Sequence, residues 1–202
     1  MIEEINKQGG LFGDDEVLIK AFQSGDKKAF DRLLLGHMNR VFNLCYRFMS
    51  DYEEANDCAQ ETFIKVYRSL NGFKFQSSFS TWLYRIAVNT CKNRLKSAEY
   101  RNRMQTFKIG ENKELNNNSY TGEIADQSLS PVTLLDKKET EALIQSAIDS
   151  LPEEQKEIIV LRDIEGFSYE EIADITDNEL GTVKSKLSRA RGTLKEKLKG
   201  LI

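Results

Sequence analysis

Apolar residues recur at helical intervals along most of this chain. Phe30, Leu33, Leu34, Val41, Leu44, Cys45 and Phe48 fall on the spacings of one buried stripe of a long helix. Ahead of them, Leu18, Ala21 and Phe22 share a face of a shorter helix that Asp14 or Asp15 is placed to cap, and Ser24-Gly25-Asp26 separates the two. Ser50-Asp51 opens a third helix with Ala55, Cys58, Ala59, Thr62, Phe63, Val66 and Leu70 inward, and Asn71-Gly72 closes it. Asp57, Gln60, Glu61 and Ile64 lie on a neighbouring face of that helix. A loop from Phe73 to Ser80 then holds Phe73, Phe75, Phe79 and three serines. Ser80 or Thr81 is placed to cap the next helix, Trp82 to about Lys96, with Ile86, Val88 and Leu95 facing a core.

The pattern lapses between Gly110 and Thr133, where Asn116-Asn117-Asn118-Ser119, Gly122, Ser128, Ser130 and Pro131 stand among few large apolar residues. This is the composition of a flexible linker. Helical spacing resumes with Leu143, Ile144, Ala147, Ile148 and Leu151. Pro152 suits the first turn of the next helix, which carries Ile158 to Leu161 and stops at Glu165-Gly166. Ser168 and Glu171 have capping-box spacing ahead of Ile172, Ala173 and Ile175. Asp177-Asn178-Glu179 reads as a turn, and Leu180 to Leu198 as a basic helix with Val183, Leu187, Ala190 and Leu194 inward. Thr182, Lys184, Ser185, Lys186, Ser188 and Arg189 then face out. The expected fold is all-α: two small helical domains, 1–108 and 137–202, joined by a flexible linker, 109–136, with a helix-turn-helix in the second.

Charge sharpens this division. The net charge of −3 over 202 residues conceals two basic blocks. Arg85, Lys92, Arg94, Lys96, Arg101, Arg103 and Lys108 stand against Glu99, and Lys184, Lys186, Arg189, Arg191, Lys195, Lys197 and Lys199 against Glu196. The linker is acidic. Two basic blocks beside apolar helical patterns on an acidic background point to nucleic acid. Other classes are excluded. No run approaches the roughly 20 apolar residues of a membrane span, and the polar N-terminus has no secretory signal. Cys45, Cys58 and Cys91 are odd in number and far apart, which rules out a disulfide framework or a paired-cysteine zinc site. The single histidine, His37, reads as a partly buried or surface residue, not a ligand. No phosphate loop, nucleophile elbow or metal-ligand spacing is present, so no enzyme, metal, cofactor or small-molecule substrate is expected.

A short capped helix, a turn and a longer basic helix make a helix-turn-helix. Ala173 lets the two helices approach, and Val183 sits at their crossing. Lys184 and Arg189 suit guanine edges, and Ser185 and Ser188 can donate or accept. The aromatic and serine-rich loop followed by a basic helix suits single-stranded DNA, whose bases stack on rings.

The run Phe79-Ser80-Thr81-Trp82-Leu83-Tyr84-Arg85-Ile86-Ala87-Val88-Asn89 resembles the central signature of extracytoplasmic-function sigma factors, group IV of the sigma-70 family. Asp57-Cys58-Ala59-Gln60-Glu61-Thr62-Phe63-Ile64-Lys65-Val66-Tyr67 resembles that family's preceding, polymerase-binding helix. Leu151-Pro152, Ser168-Tyr169-Glu170-Glu171-Ile172-Ala173 and Gly181-Thr182-Val183-Lys184-Ser185-Lys186-Leu187-Ser188-Arg189-Ala190-Arg191 resemble its C-terminal domain. The resemblance implies a cytoplasmic, non-enzymatic initiation factor whose partners are core RNA polymerase, promoter DNA and an anti-sigma factor. It assigns polymerase binding to Asp57, Gln60, Glu61 and Ile64. Capture of the opened −10 strand falls to Phe73, Phe75, Ser78, Phe79, Trp82, Asn89, Lys92 and Arg94, and reading of the −35 duplex to Thr182, Lys184, Ser185, Ser188 and Arg189. The alternative is a stand-alone helix-turn-helix regulator. Two departures from the family pattern stand out. Thr176-Asp177-Asn178 replaces a common Leu-Gly-apolar turn, with Leu180 placed to compensate for lost packing, and Lys184 stands where Arg is frequent.

Overall fold

The computed structural model describes residues 9–97, 100 and 143–199, with side chains from residue 15 onward. The described residues form helices joined by short turns, with no strand among them. The expected linker lies outside the described residues, as do Arg101, Arg103 and Lys108 of the first basic block.

In the first half, α1 spans Gly9–Gln23, α2 Lys27–Met49, α3 Tyr52–Ser69 and α4 Phe79–Lys96. The expected cap at Asp14 or Asp15 is not there, because α1 starts earlier and Asp15 is buried within it. Gly25 makes the turn into α2 at φ 106°, a backbone conformation that costs a glycine little. Asp26 and Asp51 cap α2 and α3 by accepting the amides of Lys28 and Glu54. The cap of α4 is Ser78, not Ser80 or Thr81: its extended backbone lets the hydroxyl accept from the Thr81 amide, one turn into the helix. The stripe predicted for α2 is largely the core, with Val41, Leu44 and Cys45 sealed against Leu83, Ala87, Val88 and Cys91 of α4. Each such large apolar side chain contributes about 1.5–3 kcal/mol when buried.

In the second half, α5 is described at 143–149. Pro152 is the cap residue of α6, Glu153–Ile159, which widens into a π-helical turn at Val160–Ile164. Next come α7, Tyr169–Thr176, and α8, Leu180–Lys199. The capping box is present in full, with the Ser168 hydroxyl and the Glu171 carboxylate satisfying each other's backbone amides. Asp177 takes the left-handed conformation at φ 54°, ψ 42°, and so does the work of the missing glycine. Leu180 does not compensate beneath the turn, being 37% exposed. The core here is Ile158, Leu161, Ile172 and Ile175 against Val183, Leu187 and Ala190.

The two halves pack directly against each other. Tyr84 on α4 donates its hydroxyl to Glu165 at 2.7 Å and meets the Phe167 ring at 4.7 Å. Thr81 donates to Glu171, and Lys92 pairs with Glu157 at 3.1 Å. On the α2 side, Lys156 donates to the Phe48 carbonyl and Ser50 to Asp149. Burial pushes the Glu157 and Glu165 carboxyls up, against the opposing pull of Lys92 on the first and of the Tyr84 hydroxyl on the second.

Candidate polymerase and nucleic-acid interfaces

The outward face of α3 follows from its inward one. With Cys58, Ala59, Thr62 and Phe63 buried, the helical period turns Asp57, Gln60, Glu61 and Ile64 to solvent. Ile64 is 49% exposed between acidic and amide neighbours, an apolar anchor within a polar surface. Glu61 also pairs with Lys65 one turn on. Buried apolar centre and polar rim is the make-up of a protein-docking surface.

Between α3 and α4 the loop is built on aromatic rings. Phe73 contacts Phe75, Phe79 and Trp82 at centroid distances of 5.0, 6.1 and 5.0 Å. Phe73 and Phe79 are buried and form the floor of the cluster, whereas Phe75 is exposed and Trp82 partly so. Phe75 is left-handed at φ 58°, uncommon for a bulky residue, so neighbouring contacts must hold it there. Ser78 is occupied as the α4 cap. Along α4, Asn89 points to solvent. Lys92 is drawn to Glu157, and Arg94 makes a two-point pair with Glu54, its Nε at 2.6 Å from a carboxylate that is 3% exposed. Arg94 thus ties α4 to α3. Sequence reasoning counted Arg85 in the first basic block but named neither it, exposed one turn before Asn89, nor the exposed Asn93 one turn after it as a site residue. Their spacing of four was the available signal. On the outer flank, a cleft of about 340 Å³ is lined by Phe22, Gln23, Gly25, Lys27, Tyr67, Arg68 and Asn71.

In the second half, α8 buries Val183, Leu187 and Ala190 and exposes Lys184, Ser188 and Arg189. Thr182 and Ser185 are half-buried at the same edge, and the Ser185 hydroxyl donates back to the Thr182 carbonyl at 3.0 Å. Lys184 lies 5.8 Å from the Tyr169 ring centroid, which Arg162 approaches at 4.8 Å. Lys186, read as outward, is drawn in: it pairs with Glu154 at 2.9 Å and donates to Asn178. Its long stem lets it reach across to α6 from the side of the helix. No group of metal ligands occurs among the described residues, and no described helix is long and apolar enough to cross a membrane.

Two family patterns match this chain: Sigma-70 region 2 over residues 33–100, and Sigma-70 region 4 over residues 141–194. The RNA polymerase sigma-H factor of Pseudomonas aeruginosa is 40% identical over 93% of the chain and 95% of its own length. The ECF RNA polymerase sigma-E factor of Escherichia coli K12 is 38% identical over 93% of the chain and 96% of its own length. The chain belongs to the extracytoplasmic-function sigma factors of the sigma-70 family. Among solved structures, the sigma factor RpoE of Bartonella quintana, in complex with the anti-sigma factor NepR, is similar at a TM-score of 0.61 and 26% identity, covering 85% of this chain and 98% of its own. The family membership agrees with the all-α helix-turn-helix architecture and with the expectation of an initiation factor, not an enzyme.

For this sigma factor, the region 2 match takes in α3, the aromatic loop and α4, and the region 4 match takes in α6, α7 and most of α8. All but the first helix of the described structure therefore falls largely within matched segments.

Proposed function

We propose that this sigma factor binds core RNA polymerase, directs it to promoters, and divides the promoter between its halves. Asp57, Gln60, Glu61 and Ile64 contact polymerase. Phe75, Trp82 and Asn89, over a floor of Phe73 and Phe79, take the opened −10 strand, with Lys92 joining when the halves part. Lys184, Ser188 and Arg189, flanked by Thr182 and Ser185, read the −35 duplex. The functional units are 1–108 and 137–202, joined by an acidic linker at 109–136. The site of action is the cytoplasm, where polymerase and promoter meet. An anti-sigma factor is a further partner, in keeping with the complex in which the Bartonella relative was solved.

The carrying observation is the two-faced α8: a sealed apolar side seated on a fully capped α7, and a basic, hydroxyl-bearing side left open. That shape fits a major groove. Run-off transcription with core polymerase tests the reading. Promoter-specific transcripts are expected only when this protein is added. Tight binding to duplex promoter by the protein alone, with no effect on core polymerase, would instead identify a stand-alone regulator.

A further inference from the structure

The first helix precedes the region 2 match, which begins at residue 33, yet its inner edge converges on the aromatic loop. The Gln23 side-chain amide donates to the carbonyls of Leu70 at 3.1 Å and Phe73 at 3.0 Å, on the turn that launches the loop. Phe22 meets Tyr67 edge-on at 5.4 Å. Farther back, Asp15 lies 2.9 and 3.0 Å from His37 Nε2, both side chains being buried. A carboxylate only accepts, so this ring nitrogen carries the proton and donates. The ring fixed in this way stands edge-to-face against Phe79 at 5.1 Å. Lys20 lies 5.7 Å from the Phe75 ring centroid.

We propose that α1 is a positioning element for strand capture. Gln23 fixes the backbone at Leu70 and Phe73, and the Asp15–His37 couple orients Phe79. Phe75 and Trp82 then meet the strand already in place, without the ordering cost that a loose loop would add. The left-handed Phe75 is the sort of conformation that persists only where surrounding contacts over-determine it. The inference rests on the reading of residues 73–78 as the strand-capturing loop, and its test separates the two.

Gln23→Met keeps the length of the side chain and removes both donors; Gln23→Arg retains N–H donors. Each full-length variant is assayed with core polymerase for open-complex formation on duplex promoter and on a pre-melted bubble, beside Phe75→Ala. Two hydrogen bonds of ordinary net strength predict opening about tenfold slower for Gln23→Met on duplex. Near-normal activity on the bubble, unchanged core affinity and substantial recovery by Gln23→Arg are expected with it. Slow opening in Phe75→Ala with normal opening in Gln23→Met would overturn the positioning role and leave the loop reading intact. Normal opening in both would overturn the loop reading and this inference together. A Gln23→Met defect of equal size in core affinity and on the bubble would mark a general loss of folding and also overturn it.

Discussion

The two basic helices, α4 and α8, look alike in composition and differ in what their charges do. On α8, Lys184 and Arg189 stand at the surface with nothing among the described residues taking up their charge at close range beyond the Tyr169 ring near Lys184. On α4, Arg94 is spent on Glu54 and Lys92 on Glu157. The difference fits the targets proposed for the two helices. A duplex groove is a preformed surface that a rigid exposed helix can meet directly. An opened strand must be received by a shaped loop, so the residues around it are tied into the core that shapes them.

The comparison is broken most forcefully at Arg94. Removing it by Arg94→Ala takes away the guanidinium that compensates a deeply buried carboxylate. The expected loss is about 3 kcal/mol of stability, the scale found when one partner of a buried pair is deleted. Urea unfolding measures it. A variant that stays as stable as the parent yet loses −10 recognition would move Arg94 from scaffold to DNA contact.

Next in size are the α8 charges. Changing Lys184 or Arg189 to Ala is expected to weaken binding to a −35 duplex by roughly 1–3 kcal/mol and to relax specificity there, with no loss of stability. Titration of fluorescently labelled duplex measures it, on holoenzyme. Asn89→Ala is expected to leave −35 binding alone and to slow opening, which a pre-melted bubble restores. Rescue of both classes by the bubble would abolish the division between the two helices.

Features written in local chemistry were legible in the sequence. The opening of α3 at Ser50-Asp51, the Ser168–Glu171 box and the turn at Asp177 each need only a few neighbouring residues. The outward faces of α3 and α8 followed from periodicity alone, except that Lys186 is drawn in and Thr182 and Ser185 are half-buried. What escaped were long-range polar pairs. Asp15 looks like a helix cap until α2 brings His37 to it, and Lys92 looks like a strand contact until α6 brings Glu157. The cap of α4 was misplaced for a different reason. Ser78, Ser80 and Thr81 are all good caps, and only the backbone says which has the extended conformation.

A smaller effect concerns how firmly the halves hold together. Burial raises Glu157 and Glu165 above their ordinary value of 4.5 in the packed arrangement. A raised carboxyl favours the packed state when protonated, so that contribution is full below the ordinary value and is lost as pH rises through the raised ones. Lowering the pH through the raised values towards 4.5 is therefore expected to tighten the packing. Energy transfer between dyes at exposed positions on α3 and α8 measures the change. Glu157→Gln with Glu165→Gln should flatten the pH response. An unchanged response would mean that the contact between α4 and α6 does not govern separation.

The smallest expected effect is a null result that tests whether the halves are separate folding units. Cys45, Cys58 and Cys91 are all free, buried and confined to the first half, on α2, α3 and α4. Hydrogen bonding among the thiols, and then burial, push Cys58 and Cys91 upward, so few thiolates form while that half stays closed. Labelling by a thiol reagent therefore waits for local or global opening of the first half. Leu187→Ala removes a sealed side chain from beneath α8 and should cost the second half about 2–5 kcal/mol. If the halves fold independently, thiol labelling in this variant keeps the parent rate although helix signal from the second half is lost at lower urea. If labelling accelerates in step with the loss of α8, the contacts through Tyr84, Lys92 and Lys156 make one cooperative unit. The division at 109–136 would then separate functions without separating folding.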